Sequence, residues 1–174
     1  MEKKEKMEAL KLALTNEEKE KEFYLEHARR TSSDVGQWMF NAIAEDEDEH
    51  FRRLQELYNK LEEREKWPDD FSTGISSSKV KEIFDKIISE EKPVAQGDEE
   101  DAAAIKVALE FEERGEKFYA DLAEKAEHEA EKKFFELLSS MEREHRLSLE
   151  DTLDYLTDPQ GWTERMGRRH LDGA

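Results

Sequence analysis

The dipeptide Phe-Tyr occurs twice in this chain, at Phe23-Tyr24 and Phe118-Tyr119, and the shift between them, 118 − 23 = 95, aligns much else. Ala13 maps to Ala108, Leu14 to Leu109, Glu17 to Glu112, Phe40 to Phe135, Glu47 to Glu142, Glu49 to Glu144 and His50 to His145. An internal repeat limits the fold more than any single motif. Each half must build the same supersecondary unit and bury its apolar face against the other.

The unit is a helical hairpin. Leu10, Leu14, Tyr24 and Ala28 share one helical face, on which Glu17 and Lys21 fill the gap between Leu14 and Tyr24. That helix is predicted to end near Arg30, and Thr31-Ser32-Ser33-Asp34 offers N-cap candidates for a second. The second stripe reads Met39, Ile43, Glu47, His50, Leu54, Leu57 and Leu61. A third helix opens after Gly97, with Asp98 as its cap and the stripe Ile105, Ala108, Glu112, Tyr119, Leu122 and Ala126. The fourth begins near Glu129, carries Phe135, Leu138, Glu142, His145, Leu149, Leu153 and Leu156, and is expected to stop at Pro159 and Gly161.

Short links make two antiparallel hairpins, about 7–65 and 98–158. The connection 66–97 is too long for a turn, and its Val80, Ile83, Phe84, Ile87 and Ile88 form a short amphipathic helix within a crossover. The expectation is an all-α, ferritin-like four-helix bundle over 1–158, followed by a loosely held polar tail, 159–174, whose only large anchor is Trp162.

Composition narrows the chemistry. A chain of 174 residues suits one domain, and 43% charged residues with only seven Gly and three Pro favour helices over sheet. A net charge of −18 argues against nucleic acid as a partner, since phosphate binding needs Lys and Arg. With no cysteine, disulfides, zinc fingers, thiolate metal sites and iron–sulfur clusters are excluded, and any metal must be held by Glu, Asp or His. No apolar run approaches the ~20 residues that cross a bilayer, and no signal peptide is visible. A soluble, cytoplasmic protein without a membrane partner is expected.

Residues three apart on a helix are neighbours, so Glu47-x-x-His50 and Glu142-x-x-His145 each present a carboxylate and an imidazole on one face. Glu17 and Glu112 complete four carboxylates and two imidazoles, the donor set of di-iron and di-manganese carboxylate bundles. Four ionised carboxylates would repel one another strongly inside a bundle, whereas two divalent cations balance them. Metal binding is therefore expected to stabilise the fold and release protons. A single Glu-x-x-His is weak evidence in so Glu-rich a chain. Here both pairs recur in one repeat register, on core faces, with a lone Glu on each of the other two helices.

His27, His128 and His170 lack that context and are read as surface or loop histidines. Tyr24 and Tyr119 stand two turns beyond Glu17 and Glu112, where packing is the expected role ahead of redox or hydrogen bonding. Glu20, Glu45, Glu49 and Glu144 are near the site in sequence and could serve as alternative ligands or proton carriers, although solvent is the usual place for such residues.

On these residues the chain resembles a rubrerythrin-type member of the ferritin-like superfamily, through Glu17 with Phe23-Tyr24, Glu47-Asp48-Glu49-His50, Glu112 with Gly115 and Phe118-Tyr119, and Glu142-Arg143-Glu144-His145. The resemblance implies two Fe ions bridged by Glu47 and Glu142, with His50 and His145 as terminal ligands and Glu17 and Glu112 capping opposite sides. Mn or Zn could substitute. It implies a homodimer that reduces hydrogen peroxide. A ferroxidase or iron-storage role with dioxygen or peroxide as oxidant is one alternative, and a metal-free helical adaptor another. Two departures stand out. Rubrerythrins of this type carry a cysteine-rich rubredoxin domain and this chain has no Cys, so an external electron-donor protein is expected. They also have a further Glu one turn after the third-helix ligand, where this chain has Gly115; the matching first-helix residue is Glu20.

Overall fold

The computed structural model describes residues 2–63, 80, 99–162 and 165. Its order is α1 (Lys3–Arg30), α2 (Asp34–Glu63), α3 (Glu99–Glu124) and α4 (Glu129–Thr157), and no strand occurs among the described residues. The sequence periods predicted these four helices. Caps set the ends. The Glu5 carboxylate accepts the Glu2 N–H at 3.1 Å ahead of α1, and Thr31 N–H closes its last turn on His27 O at 3.0 Å. Of the four N-cap candidates before α2, Ser33 takes the role, its Oγ accepting the Gly36 N–H at 3.2 Å. Three acidic residues, Glu99, Glu100 and Asp101, oppose the helix dipole in the first turn of α3.

Helix α1 packs along α2, and α3 along α4; lighter contacts join α2 to α4 and α1 to α3. Two apolar clusters result. Tyr24, Ala28, Met39, Phe40 and Ile43 of the first hairpin meet Ile105, Ala108, Leu149 and Leu156 of the second. At the other end Leu10, Ala13, Leu54, Leu57 and Leu61 meet Tyr119, Leu122, Phe134, Phe135 and Leu138. The turn of one hairpin thus lies beside the open end of the other. Each fully buried Leu, Ile or Phe contributes about 1.5–3 kcal/mol. The two clusters together offset the cost of the polar layer between them, which both stripes predicted.

The fourth helix ends as expected at Thr157, yet the chain does not leave the bundle there. Asp158 caps a new helical turn, accepting the Gly161 N–H on its side chain and the Trp162 N–H on its carbonyl, both at 2.9 Å, with Pro159 at the first helical position. The expectation that Pro159 and Gly161 only terminate helix overlooked this restart. It carries Trp162, 4% exposed, into the first cluster against Tyr155. Of the crossover, Val80 alone is described: it is helical and buried in that same cluster. The short helix expected around Ile83–Ile88 and the cap at Asp98 lie outside the described residues.

Candidate metal centre

All four helices contribute to one buried polar layer. Glu17 comes from α1, Glu47 and His50 from α2, Glu112 from α3, and Glu142 and His145 from α4, and none is more than 1% exposed. Helical spacing fixes each Glu-x-x-His on one face, and the opposed hairpins bring the faces together.

The donor atoms form two overlapping groups, Glu17–Glu47–His50–Glu142 and Glu47–Glu112–Glu142–His145, within each of which they lie inside 4.8 Å of one another. Donors bound to one ion at about 2.0–2.2 Å are at most about 4.4 Å apart, so each group is nearly the size of a coordination shell. Glu47 and Glu142 belong to both groups, so either carboxylate could serve two cations at once. Both imidazoles turn Nδ1 inward. His50 Nδ1 lies 3.2 Å from Glu17, 3.0 Å from Glu47 and 3.4 Å from Glu142, while His145 Nδ1 lies 3.2 Å from Glu47 and 3.4 Å from Glu112. The rings stack with centroids 5.8 Å apart.

A fit to cations shows in what these atoms lack. Glu47 Oε1, Glu112 Oε2, both Glu142 oxygens and His145 Nδ1 are buried without a hydrogen-bond partner. Buried polar atoms are normally paired, and leaving one unpaired costs about 1–3 kcal/mol. Several orphans aimed at one another make sense as ligands.

Protein groups alone set an uneven charge pattern. Burial, then the Glu47 charge, pushes the Glu17 carboxyl well above its usual range. Burial does the same to Glu112, against the pull of His145. For Glu47 burial is outweighed by the imidazoles of His50 and His145, which hold it ionised below the usual carboxylate range. Burial opposes the charge on both histidines, but Glu47 for His50 and Glu112 for His145 prevail and raise them. Cations entering this layer would have to displace protons from Glu17, Glu112 and both rings.

Three contacts add partners that helical spacing does not name. The Tyr24 hydroxyl donates to Glu112 and the Tyr119 hydroxyl donates to Glu17, each across to the other hairpin, so hydrogen bonding joins packing as the role of these tyrosines. Asp46 accepts from His145 Nε2 at 3.0 Å. Glu20, whose usual place would be solvent, is half-buried: burial, followed by the charges of Glu142, Glu47, Glu17 and Glu112, pushes its carboxyl up to about 11. The residue matching it in the repeat is Gly115, where a Cβ would meet Glu142 Oε2 at 2.9 Å and Cδ at 3.1 Å. On that side the Glu142 carboxylate takes the space.

Other candidates stay outside. Glu45 and Glu144 are exposed and Glu49 is half-buried. Lys21 leaves the stripe to pair with Asp48 at 3.0 Å. His27 packs on Phe23 and Phe40, more enclosed than a surface histidine, while His128 is exposed ahead of α4 and His170 is outside the described residues. No described helix is long and apolar enough to cross a membrane.

The family model for rubrerythrin matches residues 8–82 and 103–166, a span containing all six donors. No curated protein and no solved structure matches the chain significantly.

Proposed function

The chain belongs to the rubrerythrin family, and on that premise we propose that it is a non-haem di-iron oxidoreductase that reduces hydrogen peroxide to water. The observation that carries this is the pair of four-donor groups sharing Glu47 and Glu142, with every member buried. An iron pair held there supplies two electrons at one place, which is what splitting one O–O bond into two waters consumes, with two protons.

The chain's own residues do the rest. Four carboxylates and two imidazoles, without a thiolate, suit iron or manganese. Tyr24 and Tyr119 fix the rotation of Glu112 and Glu17. The apolar clusters above and below keep bulk water from the layer. Glu20 is the side chain we assign to proton delivery: burial and the cage carboxylates favour its protonated form, and its partial exposure lets solvent restore the proton. A separate electron-donor protein and a second copy of the chain as dimer partner belong to the same proposal.

Rapid mixing of the anaerobic diferrous protein with peroxide, and separately with dioxygen, tests it. Faster oxidation by peroxide and about two irons per chain are expected. Faster oxidation by dioxygen with a growing mineral load would transfer the assignment to a ferroxidase. Full stability and partner binding in a Glu142→Ala, His145→Ala variant that never held metal would favour an adaptor.

A further inference from the structure

The repeat that builds the cage is broken next to it. Asp46, one residue before Glu47, corresponds to Met141, one residue before Glu142. On the Asp46 side a carboxylate oxygen sits 3.0 Å from His145 Nε2, with the ring fully buried and the carboxylate 17% exposed. A carboxylate can only accept, so Nε2 carries a proton, and Nδ1, which faces Glu47 and Glu112, is the nitrogen left to take a cation once its own proton is displaced. On the other side His50 Nε2 is buried without a hydrogen-bond partner, and the repeat position equivalent to Asp46 holds Met141, a buried thioether that is at best a weak acceptor. His50 must then present Nδ1 to a cation while hiding an unpaired N–H.

We propose, on the strength of the di-metal reading above, that Asp46 is a positioning residue for His145 alone, making the Glu47–Glu112–Glu142–His145 position the stronger of two unequal metal positions. Loss of such a carboxylate behind a ligating histidine typically weakens metal binding about 10–100-fold. The weaker position, Glu17–Glu47–His50–Glu142, would then fill last and exchange first.

Unequal binding steps alone would not show this, because the shared carboxylates attract a second cation less even in a symmetric cage. Single-position variants remove that ambiguity. Glu17→Ala leaves the His145 group intact and Glu112→Ala leaves the His50 group. Titrating each metal-free variant with Co2+, followed by its visible absorption, should show the Glu17→Ala protein binding one ion about 10–100-fold more tightly than the Glu112→Ala protein. Adding Asp46→Ala to Glu17→Ala should erase that difference, and adding it to Glu112→Ala should change little. Asp46→Asn, which keeps an acceptor for Nε2, should weaken binding less than Asp46→Ala. Equal affinities in the two single variants, or equal weakening of both by Asp46→Ala, would overturn the inequality while leaving the dinuclear site standing. Failure of the unmodified protein to bind Co2+ at all would overturn both.

Discussion

The chain buries charge in two places, and they are balanced in different ways. Between the first turns of α1 and α4, Lys6 Nζ lies 3.0 Å from Glu131 and 3.3 Å from Glu127, with the Glu131 side chain 1% exposed. There two acids meet a base that the chain itself supplies, although Glu131 Oε1 is left without a hydrogen-bond partner. In the central layer four carboxylates face two imidazoles, and several donor atoms have no partner within the chain. The comparison teaches that the end cluster carries its own cation in Lys6, whereas the central layer, with twice as many carboxylates as imidazoles, would gain most from a guest that brings positive charge.

The largest expected effect breaks the comparison at its centre. Glu47→Ala or Glu142→Ala removes a donor common to both groups, and metal content measured by elemental analysis should fall from about two ions per chain to none. Glu17→Ala should lose one. Lys6→Met should lose none.

Next in size is the end pair. Removing one partner of a buried ion pair costs about 3–5 kcal/mol, so Lys6→Met should lower unfolding stability in urea by that order, equally with and without metal. The double change Lys6→Met with Glu131→Leu should recover most of the loss. If metal loading altered the cost of Lys6→Met, the two regions would not be independent.

A pH series sharpens the contrast further. Glu17, Glu20, Glu112, His50 and His145 all have folded pKa values raised above their unfolded ones. Their contribution is fully present below the unfolded values, about 4.3 for Glu and 6.5 for His, and is lost as pH rises towards the folded ones. Glu47 is depressed, so its contribution is lost only as pH falls below the ordinary carboxylate range. Metal-free protein should therefore melt at a lower temperature at pH 8.5 than at pH 5.5. Bound cations replace those protons, so the gap between loaded and metal-free midpoints should widen as pH rises. A gap that narrowed would contradict the ionisation pattern. The smallest effect belongs to Tyr24→Phe, about 1 kcal/mol in the metal-free protein by chemical denaturation, with a matching loss for Tyr119→Phe.

Helix limits and the six converging donors were legible because both follow from spacing along single helices, and the 95-residue register tested each twice. What the sequence concealed depends on how one helix faces another. Asp46 gave no signal, since its repeat partner is Met141 and its target lies on α4. Glu20 borders its stripe, and a small rotation of α1 decides between solvent and cage. Tyr24 and Tyr119 were placed in the core correctly, but their hydroxyl partners sit across the hairpin interface, where helical periodicity says nothing. The restart at Pro159 was hidden by a residue that can both stop a helix and begin one.

The crossed phenol bonds carry a further consequence. Each hairpin owns three of the six donors and lends its tyrosine to a carboxylate of the other, so neither can finish a coordination shell by itself. On the di-metal reading, ion capture would report correct docking of the two halves: a nascent or misassembled chain would offer only fragments of a ligand set, and tight retention of cations would begin when the second hairpin had found the first.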